Sequence, residues 1–310
     1  MTLKKQYNSD MKTNVIIAIT AAVLMSCGTN NSQKENDLLK QDTDSSQNVS
    51  ISREVLDEMM QTLPSPIETA NLITQSKAGF NKDLLIPAEN SENFPDKYSQ
   101  ALALGGYGVD LGYLNLNNKI LYTVDYLESI NDISKELKVN QFLDFSVLND
   151  LAKNRNNVDS LIRISTENFN QIDEYLRTQN RGDLSVLILI GSWVEGLHMF
   201  NHIAKENPSK EIIKRIGEQK IIIDNIYVIL AKIENVAYYK ELKTRLTGLK
   251  TVYNKVKISY VYKEPEMKEV NGELVIIDGS ESVVEVAAED LVAIDKEITS
   301  LRNSIFKITK

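Results

Sequence analysis

The segment that most constrains the fold is a long apolar stretch near the middle of the chain. Residues 184–200 read LSVLILIGSWVEGLHMF and contain the only tryptophan, Trp193. A helix that is apolar on nearly every side has to be enclosed by other helices or by lipid. This segment is short for a membrane span, and it carries polar groups such as Glu195 and His198. The sequence therefore predicts a central core helix over residues 182–205.

Most of the chain after residue 51 repeats apolar residues at helical spacing, with short connections between the repeats. This pattern predicts an all-α fold, a single multi-helix bundle or array of about nine or ten helices, formed by residues 51–310. Apart from the central helix, the predicted helices cover residues 53–63, 66–79, 97–116, 122–138, 141–151, 155–178, 212–233, 242–256 and 289–306. Residues 81–94 are polar and contain proline, which predicts a surface loop.

The apolar period changes from helical spacing to two between residues 257 and 286. Asn271-Gly272 and Asp278-Gly279 flank the apolar run Leu274–Ile277. Dipeptides of this kind between alternating segments are a strong hairpin signal. The sequence therefore predicts a small β-hairpin before the C-terminal helix.

Glycines are concentrated in two of the predicted helices. Each glycine in a helix interior costs about 1 kcal/mol relative to alanine, so a compensating interaction is needed. We expect close packing between the helix at 97–116 and the central helix, with Trp193 in the core. The spacing of the glycines does not fit a phosphate-binding loop. The predicted packing glycines are Gly105, Gly106, Gly108, Gly112, Gly191 and Gly196.

The N-terminus resembles a bacterial lipoprotein signal. Lys12 precedes an apolar run over residues 15–25, and Leu24-Met25-Ser26-Cys27 has the form of a lipobox, in which the cysteine is lipidated and becomes the mature N-terminus. Cys27 is the only cysteine, so the chain cannot form an internal disulfide. We expect a signal peptide over residues 1–26 and attachment to the membrane through lipid on Cys27.

A polar, acidic segment follows the lipobox. Residues 27–50 have the composition of a disordered tether between the lipid and the helical domain. Within it, Gln33-Lys34-Glu35 resembles the short signal that exports lipoproteins of the Bacteroidota to the cell surface. The resemblance implies an outer-membrane protein at the cell surface rather than one that faces the periplasm.

The net charge of −8 and the absence of a basic stripe argue against a nucleic-acid partner. No nucleophile motif accompanies the two histidines, so the sequence favours a non-enzymatic protein without deciding the question. Pro64-Ser65-Pro66, the glycine-rich segment 105–113 and Gly191–Gly196 together resemble a group of helical lipoproteins of the Bacteroidota that have no assigned function. The leading hypothesis is a binding protein with a partner in the cell envelope.

The alternative hypothesis is a metal or small-ligand site on the central helix. Glu195, His198 and His202 are spaced by three and four residues, which places them on one helical face. Imidazole and carboxylate ligands suit Zn or Fe, with Asp110 as a possible further ligand. The simpler interpretation is that Glu195 and Asp110 are buried acids that hydrogen-bond to nearby hydroxyls or backbone groups, which leaves no cofactor.

Overall fold

The computed structural model describes residues 78–146, 158–264, 266–270, 273–277 and 281–309. The predicted signal peptide, Cys27, the tether and the helices predicted before residue 78 lie outside these residues. The described part confirms the all-α class, with a small antiparallel β-hairpin before the last helix. In chain order its α-helices are α1 Lys97–Leu116, α2 Ile120–Glu136, α3 Val158–Thr178, α4 Gly182–Glu206, α5 Lys210–Lys232, α6 Ala237–Arg245, α7 Thr247–Tyr253 and α8 Ala288–Ile305.

Helix α4 is the central helix that the sequence predicts. It packs against α1, α3, α5 and α8, and most of its side chains are buried. Within the described residues it is the one helix long and apolar enough to cross a membrane, but 83% of its most apolar window is buried inside the protein. Trp193 is buried, and its indole N–H donates to Gln219 Oε1 on α5 at 3.0 Å. Enclosure by other helices therefore accounts for the apolar character of α4.

Helices α1 and α4 form the closest crossing in the core. A Cβ added at Gly105 would overlap the carbonyl oxygen of Ile188, and one added at Gly191 would overlap the carbonyl oxygen of Leu102. Ser192 Oγ also donates to the Gly105 carbonyl at 3.1 Å across the crossing. Backbone thus contacts backbone here, which explains why these positions are glycine.

The other predicted packing glycines divide into two groups. A Cβ at Gly106 would meet the ring of Phe306 and the side chain of Ile86, so Gly106 also packs closely. At Gly108, Gly112 and Gly196 an added Cβ would meet nothing within 4 Å. Within the part of the chain that the structure describes, no neighbour approaches these three glycines closely, so the close approach predicted there finds no support.

Residues 81–94, predicted to be a surface loop, contain two short 3-10 helices. They span Lys82–Leu84 and Ala88–Asn93, and Leu84, Leu85 and Ile86 are buried. The surface-loop prediction is therefore wrong for this segment. A third 3-10 helix, Asn140–Phe142, begins where a helix was predicted over 141–151, and the rest of that range is largely outside the described residues.

Helix α5 runs antiparallel to the segment formed by α6 and α7. Tyr227 Oη donates to the Lys243 carbonyl at 3.1 Å, and Tyr253 Oη donates to the Ile216 carbonyl at 3.0 Å, so the chain returns along α5. The second arm, predicted as one helix over 242–256, is divided at Leu246 into α6 and α7.

The hairpin before α8 is a two-stranded ribbon in two parts. The outer part pairs β1 (Lys257–Val261) with β4 (Glu281–Glu285), and the inner part pairs β2 (Glu266–Val270) with β3 (Glu273–Ile277). The register shifts by one residue between the two parts, because Val261 pairs with Glu281 whereas Glu266 pairs with Ile277. The Asn271-Gly272 and Asp278-Gly279 dipeptides themselves lie outside the described residues. We call the segment 257–286, which contains β1 to β4, the ribbon.

Alanine substitutions at two glycines of α1 test the role of the α1–α4 crossing. We expect Gly105→Ala to lower the free energy of unfolding by about 1–3 kcal/mol, because the backbones must separate to admit the methyl group. Gly108→Ala, three residues along the same helix, should raise it by about 0.5–1 kcal/mol, since alanine is the better helix former and the site is open. Urea unfolding monitored by circular dichroism measures both. Equal effects at the two positions would contradict the close crossing.

Candidate functional site

Two of the predicted site residues meet in a buried polar cluster. Asp110 lies on α1 and Glu195 on α4, and neither has any exposed surface. The two carboxyl groups lie close enough for the charge of Glu195 to raise the pKa of Asp110. A third member, Arg302 on α8, was not predicted from the sequence. We call Asp110, Glu195 and Arg302 the buried triad.

Arg302 binds Glu195 through two parallel hydrogen bonds. Its Nε donates to Glu195 Oε2 and its Nη2 to Glu195 Oε1, both at 2.7 Å. Burial alone would lower the pKa of Arg302, but the neighbouring Glu195 carboxylate raises it above its ordinary value. Bidentate geometry of this kind offsets part of the cost of removing both charges from water. The pair therefore joins α4 to α8 as guanidinium and carboxylate.

Asp110 has to be interpreted as a neutral acid. Burial, and then the charge of Glu195, raise the pKa of Asp110 well above its ordinary value of 3.8. Its Oδ2 accepts from the Ile86 N–H at 2.9 Å, whereas Oδ1 has no hydrogen-bond partner among the described residues. Two neighbouring carboxyl groups in a buried site repel each other unless one of them binds a proton. We therefore assign a proton to Asp110, which can then donate a hydrogen bond to Glu195.

The buried triad also holds a piece of irregular backbone in the core. We call this piece, Leu84–Ala88, the core segment. Arg302 Nη2 donates to the Leu84 carbonyl, and Asp110 accepts from the Ile86 N–H. Tyr126 Oη donates to the Ile86 carbonyl at 2.7 Å, and Tyr107 Oη donates to the Pro87 carbonyl at 2.9 Å. Buried backbone outside helices and strands needs such partners, so side chains from α1, α2 and α8 supply them.

Neither predicted histidine joins the buried triad. His198 Nδ1 lies 3.4 Å from Thr299 Oγ1, and His202 Nε2 lies 3.0 Å from Glu206 Oε1 and 3.5 Å from Asn81 Nδ2. Glu195 and His198 both face α8 but contact different residues of it, Arg302 and Thr299, whereas His202 contacts Glu206 on its own helix. The three side chains therefore have separate partners, although their spacing suggested a common site.

The described residues contain no group of three or more His, Cys, Asp or Glu side chains that could hold a metal ion. An open groove of about 750 Å³ between α2 and the 3-10 helix Ala88–Asn93 is rich in carboxylates, but these do not converge on one point. The metal hypothesis therefore gains no structural support. The simpler interpretation agrees with the structure in the burial of both acids and in the backbone donor of Asp110, the Ile86 N–H. The partner of Glu195 is Arg302, which was not predicted.

The described surface carries one concentration of exposed apolar side chains, and it lies on the ribbon. Tyr260 and Tyr262 are each 66% exposed, Met267 is 71% exposed, and Val261 is also exposed. These four residues, which we call the ribbon patch, fall within eight positions of the chain. The other exposed large apolar residues of the described part are distributed over α2, α5 and α8. Clusters of this kind on a surface are typical of interaction sites.

Tyr260 and Tyr262, which alternate with neighbouring residues along the sequence, are a signal that could have indicated this surface. Comparison with known proteins yields no relative from which a site could be transferred, because no family model, no curated protein and no solved structure matches the chain. The enclosed triad offers no access for a substrate. The ribbon patch is therefore the candidate functional site.

Two conservative substitutions in the buried triad test the protonation that we assign. Glu195→Gln removes the charge that Arg302 needs, and we expect it to lower the free energy of unfolding by about 3–5 kcal/mol. Asp110→Asn replaces a neutral acid by a neutral amide that can make the same two hydrogen bonds, so below pH 3.8 it should change the free energy of unfolding by under about 1 kcal/mol, and at pH 7 the variant should be no less stable than the wild type. Chemical unfolding of both variants measures the difference.

The pH dependence of the same variants provides the control. Because the pKa of Asp110 is raised on folding, its favourable contribution is complete below the ordinary value of 3.8 and is lost as pH rises toward the raised pKa. In that interval the wild type should lose stability relative to Asp110→Asn by up to about 1.4 kcal/mol per pH unit. A difference that is constant with pH, or that changes in the opposite direction, would mean that Asp110 is ionised in the folded protein.

Proposed function

We propose that this protein is a lipid-anchored, non-enzymatic lipoprotein of the outer membrane that binds a protein partner of the cell envelope through its ribbon. The observation that carries the proposal is the ribbon patch, in which four large apolar side chains are exposed within eight residues. A solvated surface of this composition is costly for an isolated protein and is explained by a partner that covers it.

The polar chemistry of the helical body supports a binding role over an enzymatic one. Burial raises the pKa of both Asp110 and Glu195, and the two fully buried carboxyl groups are bonded to the core segment and to Arg302, respectively. A reacting group has to reach its substrate, and the buried triad is closed to solvent. Its role is therefore to hold α1, α4, α8 and the core segment together.

The sequence before the described residues supports the anchor. The apolar run over 15–25 and the lipobox at Leu24–Cys27 match the requirements of lipoprotein processing. Several acyl chains on Cys27 would hold the protein firmly, since each buried methylene contributes about 0.8 kcal/mol. Residues 28–50 are polar and would let the helical domain stand away from the membrane surface.

Substitution of the lipobox cysteine tests the anchor. We expect the wild type, expressed in its native host with an alkyne fatty acid, to incorporate the label and to sediment with membranes. Cys27→Ser should abolish the label, because the thioether cannot form, whereas Ser26→Ala should keep it, since alanine is also a small residue. Protease treatment of intact cells then tests exposure, and replacing Gln33-Lys34-Glu35 with alanines should protect the protein from digestion. Label that persists in Cys27→Ser would refute the anchor.

Site-specific photocrosslinking in the native host tests the ribbon as a binding surface. We expect a benzoylphenylalanine at Tyr262 to give a discrete crosslinked product with another protein, because the patch is covered in the complex. The matched control is Val292 on α8, which is 68% exposed against 66% for Tyr262 but lies outside the ribbon. Discrete products at both positions, or at neither, would contradict a binding role of the ribbon.

A further inference from the structure

The backbone of the ribbon is incompletely paired. In the part of the chain that the structure describes, β1 has β4 as its ladder partner and β2 has β3, so each strand has one unpaired edge. Proteins usually cover or interrupt such edges, because exposed N–H and C=O groups can pair with another chain. Among the described residues, β2 and β3 pack chiefly against each other, whereas β1 and β4 also pack against α5.

The β1–β4 pair connects the ribbon to the helical body. Ile258 on β1 pairs with Val284 on β4, and both are partly buried against the core. Val284 and Val286 contact α5 at Gly217, where a Cβ would overlap them. Tyr260 follows Ile258 by two residues and so lies on the same face of β1, yet it is 66% exposed. The apolar face thus continues beyond the helices that bury its first half.

The negative net charge of the ribbon indicates which kind of partner it attracts. Residues 257–286 contain seven carboxylates and three lysines, which gives −4 of the formal net charge of −8. A second copy of this chain would bring two acidic ribbons together, and an anionic lipid surface would also be repelled. A basic segment is attracted to the same surface.

We propose that the ribbon binds an extended, basic segment of a partner protein, which adds as a third strand to the β2–β3 pair. The inference rests on the proposed binding function and names the chemistry of the partner. Main-chain hydrogen bonds to the unpaired edge supply affinity, as in other cases of strand addition. Lysine or arginine side chains meet the carboxylates of the ribbon, and apolar side chains that alternate with them contact the ribbon patch.

A synthetic peptide of alternating lysine, threonine and valine is the probe. We expect it to bind the lipid-free protein, residues 28–310, in a fluorescence anisotropy titration. Two peptides of equal length are the controls, one with glutamate in place of lysine and one with alternate backbone amides methylated. Both should bind roughly tenfold more weakly or worse, the first through like charge and the second because it cannot form the ladder. Equal binding of the methylated peptide would overturn strand addition.

Protein variants locate the binding. Reversing two exposed carboxylates of the ribbon in Glu264→Lys, Glu285→Lys should weaken the lysine peptide roughly tenfold, and removing two tyrosines in Tyr260→Ser, Tyr262→Ser should also weaken it. Glu289→Lys on α8 and Val292→Ser are the matched controls and should bind like the wild type. All of these side chains are exposed, and thermal unfolding verifies that each variant is folded. Equal losses in the control variants would overturn the assignment to the ribbon.

The remaining outcomes distinguish this inference from the proposed function. A discrete crosslink at Tyr262 without peptide binding would overturn the basic strand and leave a binding protein with another class of partner. Dimers in sedimentation velocity that Tyr260→Ser, Tyr262→Ser abolishes would identify a second copy as the occupant and overturn the inference. Binding to anionic phospholipid vesicles by the ribbon, without peptide binding, would identify a lipid surface and overturn it as well.

Discussion

The ion pair between Arg302 and Glu195 is the interaction on which the rest of the structure depends. Removing both ions from water costs several kcal/mol for each, and only their bidentate contact and the further hydrogen bonds of Arg302 and Asp110 offset this. Those further bonds reach the core segment, so the pair cannot form unless α4, α8 and that segment are in place together. A cluster of this kind contributes to a unique arrangement of helices more than to net stability.

The glycines of α1 and α4 determine how close the two carboxyl groups come. Because Gly105 and Gly191 allow backbone to contact backbone, the side chains one turn further along each helix are brought into contact as well. Asp110 on α1 then meets Glu195 on α4, and the shared proton follows from their proximity. The close approach that the two glycines allow thus raises the pKa of Asp110, although the glycines themselves carry no charge.

The sequence predicts those parts of the molecule in which one local pattern dominates. Helical periodicity gives α1 and α4 almost to the residue, and the change to period two gives β3. Contacts between distant residues are not predictable in this way: Arg302 is 107 residues from Glu195, and nothing near it in sequence indicates burial. The core segment was missed because proline and polar neighbours suggest a loop, whereas its carbonyls are satisfied by side chains that come from three other elements. Gly108 is the opposite case: its place in a glycine-rich helix suggested close packing, but no described residue lies within 4 Å of a Cβ added there.

The helical body and the ribbon differ in how their hydrogen-bonding groups are satisfied, and this difference bears on function. In the body, even irregular backbone at Leu84–Ala88 finds partners, and the buried acids are bonded within the fold. In the ribbon, each described strand leaves one edge unpaired beside exposed tyrosines. The proposed partner would gain backbone pairing and apolar contact together from the ribbon, because the unpaired edges and the exposed tyrosines belong to the same segment of the chain.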